Sequence, residues 1–524
     1  ALVGAWAAAA PERAAVLHLG ADDRAETWSY GRLETAARRL ANALEGLGLK
    51  PGDRCGVLLP QSPETVITHL ALYKLGAVAL PLFTLFGEDA LAARLADAGA
   101  AAVVTDAANW PKLATIGARA PAIGLALCVD GPAAGDGWGP DARGFWETLA
   151  RASDQRAPRI GLAEEPAFLC YTSGTTGPPK GALHAQRVLI GHLPGVQMWL
   201  EGFPRPGDVA WTPADWAWMG GLTNVLMPCL HYGTPVIAHR MAKFDPDKAY
   251  WIWRRFGVTV GFMPPTALKM MRAAEGGGEP GRAEGLRLRA IGSGGEPLGA
   301  DLLDWGRARL GLTINEFYGQ TECNLVCGNS GRIAPVKPGS TGPATPGFEV
   351  AAIDAAGRPL PAGETGEIAV RRGAPSLFLG YWENPDATAA KFAGDWMRTG
   401  DEGAVDADGY VFFNARIDDV IGSAGYRIGP GEVEACLARH PAVAMAGVVG
   451  APDPIRGEKV VAFVTLRDGG AGDAALADAL KAHVKARMSP HAHPREIRFI
   501  EAMPLTSTGK IMRRALRARF AEDG

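Results

Sequence analysis

Residues 55–82 read CGVLLPQSPETVITHLALYKLGAVALPL, in which two short apolar runs, Cys55–Leu59 and Ala77–Leu82, enclose a longer apolar stretch, Glu64–Leu75. The spacing predicts strand, helix, strand. Outward from it the alternation continues. A helical stretch Leu33–Leu47 and a Pro51-Gly52-Asp53 turn precede it, and a helix Asp89–Asp97 and strand Ala101–Thr105 follow. Short apolar runs separated by helices indicate parallel strands joined by right-handed crossovers, so the bulk of the chain is α/β. Such sheets bind ligands at their carboxyl edges.

After residue 415 the pattern changes. A helix Glu432–Arg439, strands Ala446–Gly450 and Val460–Leu466, a helix Ala474–Arg487, a strand Ile497–Ile500 and a basic final helix make a small α+β domain. The division expected is a large multi-sheet α/β domain over 1–415 and a small domain over 416–524. Two Gly-rich stretches, Gly131–Gly144 and Glu275–Gly281, read as surface loops.

The chain has 524 residues, 47% hydrophobic and 21% charged, which suits a large buried core in more than one domain. A net charge of -3 argues against wholesale nucleic-acid binding. No apolar run approaches the roughly 20 residues that span a bilayer. The alanine-rich opening Ala1–Ala10 lacks the basic flank of an export signal. Seven cysteines without a C-x-x-C pair suit a reducing cytoplasm better than a disulfide framework or a zinc site. Cys323 and Cys327, the one close pair, read as two small buried side chains. Residues 481–519 concentrate ten Lys and Arg against Glu496 and Glu501, a solvated basic face or a site for an anionic ligand.

The strongest local signal is Tyr171-Thr172-Ser173-Gly174-Thr175-Thr176-Gly177-Pro178-Pro179-Lys180-Gly181, after the apolar strand Ala167–Cys170. Glycines let backbone N–H groups converge on phosphate oxygens, hydroxyls add donors, and Lys180 supplies charge. It is not the P-loop of NTPases, because two prolines separate Gly177 from Lys180. Gly509-Lys510 fails the same test, being followed by Ile511.

Four later segments accompany the loop in order: Gly292-Ser293-Gly294-Gly295-Glu296-Pro297, Glu316-Phe317-Tyr318-Gly319-Gln320-Thr321-Glu322, Arg398-Thr399-Gly400-Asp401, and Arg416 through Arg427 with Gly509-Lys510. Together the five resemble the adenylate-forming superfamily, and within it the AMP-forming acyl-CoA synthetases of the acetyl and medium-chain type. The resemblance implies ATP and coenzyme A as co-substrates, Mg2+ as metal, and an acyl-adenylate intermediate. Residues 292–297, between an expected strand Leu286–Ile291 and helix Ala300–Leu310, would border adenine. Gly295, Glu296 and Pro297, with Glu316, Phe317, Tyr318, Gly319 and Gln320, are nucleotide-site candidates. Thr321 and Glu322, expected at the end of a second strand, would meet the α-phosphate and its magnesium, with Glu322 the metal ligand. Asp401 and Arg416 would hold the ribose, and Asp418 would be the hinge of the small domain. Ser423, Gly425, Tyr426, Arg427 and Arg456 would meet coenzyme A, and Lys510 is the implied adenylation lysine, whose ammonium would offset charge as two anions react.

Two departures stand out. Ala415 takes the place of a common glycine, and His491-Ala492-His493 replaces a Tyr-Lys-Tyr-like segment. In the acetyl-specific branch a tryptophan at the position of Gly319 closes the acyl pocket and a valine sits at that of Gly294. The resemblance therefore implies a medium-chain, branched or aromatic acid lying against Trp218 and Met219. A free-standing adenylation enzyme loading a carrier protein is the alternative, disfavoured by the absence of the Phe-Asp-x-Ser motif of amino-acid activators.

Overall fold

The computed structural model describes residues 2–131, 139–172, 179–275, 283–423, 426–453, 457–467, 470, 472–488, 492–506 and 509–522. The centres of both Gly-rich stretches lie outside these residues. The chain divides into two compact units, Ala1–Glu349 with Arg371–Asp395, and Val350–Val370 with Trp396–Gly524.

The opening stretch folds as its spacing predicts, into strand Arg54–Leu58, helix Pro63–Leu75 and parallel strand Val78–Pro81. The Ser62 hydroxyl caps the helix by accepting from the Thr65 N–H, and Pro63 takes the first helical position. Gly76, at φ +82, ends it in a left-handed turn that a side chain would strain. Parallel strands extend the sheet on one side through Ala102–Thr105, Leu125–Cys128 and Asp141–Gly144. On the other side come Pro166–Tyr171, parallel, and Gly181–Ala185, antiparallel. A second eight-stranded sheet runs in the order 327–328, 314–318, 290–294, 260–262, 210–211, 236–238, 14–19, 25–29, with only its outermost pairs antiparallel.

Both sheets are buried on both faces, which is why their strands read as continuous apolar runs. Successive side chains alternate between cores. Val57 and Ala290 join a large cluster holding helices Tyr30–Gly46 and Pro63–Leu75, whereas Leu58 and Ile291 face helices on the opposite sides. Among the described residues no helix is long and apolar enough to cross a membrane.

The second unit contains two sheets. Strands Val350–Ile353, Gly366–Arg371, Trp396–Val405 and Tyr410–Arg416 form one. Strands Tyr426–Ile428, Ile421–Ser423, Gly457–Leu466 and Val443–Asp453, with Glu496–Phe499 beside Gly457–Leu466, form the other. Helices Pro430–Ala438 and Ala474–Arg487 cover one face of the latter and the basic helix Arg513–Glu522 covers its back. This is the α+β pattern expected near the C-terminus, with strand ends displaced by a few residues. Residues 350–370 and 396–415 go with it: Trp396–Val405 pairs with Tyr410–Arg416, and Gly366–Arg371 and Val350–Ile353 continue the same sheet.

Two local expectations differ. The strand expected over Leu286–Ile291 runs from Ala290 to Gly294: the Arg289 N–H donates to the Thr259 carbonyl at 2.7 Å, the paired residues begin at Ala290, and pairing with 314–318 carries the strand on to Gly294. The helix expected over Ala300–Leu310 is α-helical to Trp305 and then a π turn.

Candidate active site

The phosphate-loop candidate springs from a hairpin. Tyr171 pairs with Gly181, and the Thr172 N–H donates to the Lys180 carbonyl at 2.9 Å. Ser173, Gly174, Thr175, Thr176 and Gly177 lie outside the described residues. At the hairpin's neck the Lys180 Nζ stands 5.3 Å above the ring of Tyr381. The Tyr381 hydroxyl donates to Glu322 Oε1 at 2.5 Å, and the Phe378 N–H donates to the Glu322 carbonyl at 2.9 Å. A cation, a phenol and a buried carboxylate thus converge beside the loop. Tyr381 arrives because Gly380–Tyr381 adds to the edge strand opposite Leu183 and Ala182. No local feature of its sequence announces it, since both partners are remote in the chain.

Glu322 does not end a strand as expected. The strand stops at Tyr318, and Thr321 and Glu322 belong to the turn beyond it. Glu322 is 7% exposed and the Thr321 side chain half-buried. Gln320 in the same turn accepts from Lys391 Nζ at 2.9 Å.

The glycine-rich segment and the Glu316–Gly319 segment lie side by side on parallel strands, Ser293 opposite Glu316 and Gly294 opposite Phe317. Gly295 turns the chain at φ +95, a conformation that favours glycine. Pro297 is exposed, and Glu296 is met by the Thr266 hydroxyl at 3.3 Å and Lys269 Nζ at 3.7 Å. Glu316 faces inward. Its Oε1 accepts the Leu298 N–H at 3.0 Å, and burial pushes its carboxyl up to about 7, so it secures the turn after Pro297.

A Cβ on Gly294 would stand 2.7 Å from the Phe317 ring, so that glycine admits the ring and opens no space. Phe317 packs against Trp199 and Phe262 at centroid distances of 5.1 and 5.4 Å, and Phe262 against Trp218 at 5.4 Å. Trp218 is half-buried and Met219 buried. Nearby, burial pushes the Asp215 carboxyl up to about 6. A Cβ on Gly319 would meet Asn324 Oδ1 at 3.0 Å. The Asn324 and Leu325 Cα atoms stand at 3.2 and 3.4 Å from the same point, so the direction a side chain would take from Gly319 is filled as well.

In the second unit Asp401 and Arg416 are strand partners, with Nη1 3.0 Å from Oδ1. Gly400, at φ +77, brings the carboxylate to the arginine. Glu367 orders this turn: it accepts from Arg398 Nε at 2.7 Å and the Gly400 N–H at 2.8 Å. Sequence reasoning missed Glu367 because its partners are more than 30 residues away. Asp418 is exposed in the 3-10 turn Ile417–Asp419. Its neighbour Asp419 pairs with Arg513 and Arg517 at 3.3 and 2.9 Å, and Arg513 pairs with Glu434 at 2.7 Å, pinning the final helix to this turn. Ser423 is buried in a strand opposite Tyr426. Gly425, Arg456 and the side chains of Tyr426 and Arg427 lie outside the described set. Lys510 sits exposed in a hairpin bridged by Leu505 and Ile511, its N–H donating to Thr506 Oγ1 at 3.0 Å after Gly509 at φ +87.

Among the described residues no three His, Cys, Asp or Glu side chains gather as a metal cage, and the seven cysteines are buried and unbridged.

The chain has clear relatives. The family profile for AMP-binding enzymes matches residues 3–382, and that for the AMP-binding enzyme C-terminal domain matches residues 432–510. The rat mitochondrial acyl-coenzyme A synthetase ACSM4 is 36% identical over 94% of this chain and 84% of its own. The acetyl-coenzyme A synthetase of Bacillus subtilis strain 168 is 34% identical over 94% and 85%. A crystal structure of Brucella canis acyl-CoA synthetase, 36% identical, superposes with a TM-score of 0.73 over 98% of this chain and 92% of that one. With both family domains matched in order and relatives covering most of its length, this chain belongs to the AMP-binding enzyme family, among the AMP-forming acyl-CoA synthetases.

Proposed function

We propose that this synthetase acts on a carboxylic acid larger than propionate, of medium-chain, branched or aromatic type, and that the acyl chain passes Gly319 toward Trp218 and Met219. What supports the size is that glycine, and not the pocket-closing tryptophan of the acetyl-specific branch, occupies position 319, and that Trp218 is half-buried against Phe262. Gly319→Trp tests it. An indole must block a path at that point, so activity with larger acids falls and preference moves to acetate and propionate. Unchanged chain-length preference contradicts the pocket.

In the first half-reaction the substrate carboxylate attacks the ATP α-phosphorus and pyrophosphate leaves. Lys180 meets the polyphosphate, Asp401 and Arg416 hold the ribose, and the Lys510 ammonium lies between the two anions. A lone buried carboxylate fits a magnesium ion that arrives with phosphates, since magnesium keeps several waters and takes one or two protein carboxylates. Glu322 would hold it, and the ion would neutralise phosphate charge. In the second half-reaction the small domain, residues 416–524, turns about Asp418, coenzyme A enters along Ser423, Gly425, Tyr426 and Arg427, with Arg456 at its phosphates, and the thiolate displaces AMP. Lys510→Ala is expected to lose adenylate formation yet convert supplied acyl-adenylate to thioester. Gly425→Leu is expected to do the reverse, and equal loss of both steps in either variant contradicts the two-state scheme. Seven buried thiols without a bridge suit a reducing compartment, and the cytoplasm is the location proposed.

A further inference from the structure

Arg513, the first residue of the final helix, stands three residues beyond Lys510 and centres an ion cluster that neither half-reaction uses directly. Its guanidinium forks onto Glu434, with Nη2 2.8 and 2.7 Å from the two carboxylate oxygens and Nε 3.2 Å from Oε1. Its Nη1 donates to Asp419 Oδ2 at 3.3 Å. Arg517, one turn further along the helix, donates to Asp419 Oδ1 at 2.9 Å and to the Asp418 carbonyl at 3.3 Å. Glu434 is fixed in turn by the Val448 N–H at 2.9 Å. Two arginines thus face two carboxylates, and the side chains of Arg513, Glu434 and Asp419 are only 20, 14 and 11% exposed.

Apolar packing holds the final helix and the Lys510 hairpin against the sheet without fixing where they point. Met503, Ile511, Leu516 and Phe520 lie on the back of the sheet. Gly447 lets them close on it, since a Cβ there would stand 2.6 Å from Leu516 and 3.1 Å from Ile511. Such contacts are non-directional, whereas a bidentate fork fixes an angle. A buried ion cluster is weak evidence for stability, because apolar groups of similar volume often serve as well, and its better-attested use is to set registry.

The hairpin passes that orientation on to the lysine. The Thr506 N–H donates to the Lys510 carbonyl at 2.7 Å and the Met512 N–H to the Pro504 carbonyl at 2.9 Å, so the strand holding Lys510 is braced and runs straight into Arg513. At the other end of the cluster, Asp419 is the first residue beyond the pivot at Asp418.

We propose that Arg513 is a positioning residue for adenylate formation: it ties the Lys510 hairpin to Asp419, so that a turn at the pivot carries the lysine ammonium to a fixed place. The inference rests on the reading of Asp418 as pivot and Lys510 as adenylation lysine. Ser423, on the coenzyme A path, is held otherwise, by strand pairing with Gly457 and Tyr426. The cluster therefore serves the first half-reaction and not the second.

Arg513→Lys tests it in the full chain. The lysine keeps the charge but cannot fork onto Glu434 and reach Asp419 at once. A misplacement of about 1 Å can cost about 100-fold, so kcat for acid-dependent pyrophosphate release should fall by about 10- to 100-fold. KM for ATP and acid, and thioester formation from supplied acyl-adenylate, should stay within about threefold. In a Lys510→Ala background the same substitution should cost nothing further, because no ammonium is left to place. Asp419→Asn, which keeps the size and an acceptor oxygen, carries the same comparison if Arg513→Lys does not fold. Equal loss of both half-reactions, an undiminished further loss in the Lys510→Ala background, or unchanged pyrophosphate release overturns the inference. Lys510→Ala separates the two claims. Loss of adenylation in that variant with none in Arg513→Lys leaves the lysine's role standing and removes the positioning, whereas full adenylation by Lys510→Ala removes both.

Discussion

Replacing Tyr381 with phenylalanine isolates one hydroxyl at the neck of the phosphate loop. The ring keeps its edge contact with Phe378, centroids 5.1 Å apart, and its face toward Lys180 at 5.3 Å. What is lost is the donor to Glu322 Oε1, a 2.5 Å bond to a carboxylate that is 7% exposed. Hydrogen bonds to charged groups contribute about 1.5–3 kcal/mol, and so little exposure leaves little room for water to replace the phenol. If that energy serves to orient Glu322 toward the metal, the apparent Mg2+ affinity falls by about 10- to 150-fold, at about 1.4 kcal/mol per decade. The assay is the initial rate of pyrophosphate release at saturating ATP and acid, titrated with Mg2+, alongside binding of an acyl-adenylate analogue without Mg2+. The Mg2+ curve should shift while analogue binding stays within a few-fold. An unshifted curve refutes the reasoning that Tyr381 positions a metal-binding carboxylate. Equal loss in both measurements would make Tyr381 a packing residue instead.

Further expectations concern the turns and the buried charges. Gly400→Ala puts a Cβ at φ +77 and 3.3 Å from Arg416 Nη2, so KM for ATP should rise about tenfold or more with little change for the acid; an unchanged ATP KM contradicts the ribose assignment. Arg513→Met leaves Glu434 and Asp419 without their shared partner, and denaturant melts should show the second unit destabilised by about 3–5 kcal/mol; a change under 1 kcal/mol would mean that the triad does not pin the final helix. Glu316 has a folded pKa raised to about 7 from 4.5, so between those values the native state holds a proton that the unfolded state has released. Its contribution favours folding below pH 4.5 and is withdrawn as pH rises through 7, a swing on the order of 3 kcal/mol. Glu316→Gln, whose amide oxygen can still accept from Leu298, should flatten that dependence in urea melts between pH 5 and 8, and an unaltered slope assigns it to other groups.

The alternation that settles the α/β class was legible because parallel strands buried on both faces show as apolar runs, and Val57 and Leu58 serve two cores in succession. Strand ends were less legible. The run Leu286–Arg289 has strand periodicity, yet the paired residues begin only at Ala290, just after the Arg289 N–H meets the Thr259 carbonyl. Turn residues of the site, Gly295, Gly400 and Gly509, carried a local signal in their positive φ requirement. Tyr381, Glu367 and Arg513 carried none, because each matters through a partner distant in sequence. Gly294 misled as a pocket wall: its missing side chain makes room for Phe317, and a pattern of glycines does not say what fills the gap.

The central claim is that this enzyme joins a carboxylic acid to ATP before any thiol is involved. The most direct measurement is acid-dependent pyrophosphate release, with AMP and ADP both quantified, across acetate to decanoate plus benzoate and isobutyrate, with and without coenzyme A. The account predicts pyrophosphate and AMP, a first turnover without coenzyme A, multiple turnovers with it, and the best rates with acids larger than propionate. ADP as product, or no pyrophosphate with any of these acids, would contradict it.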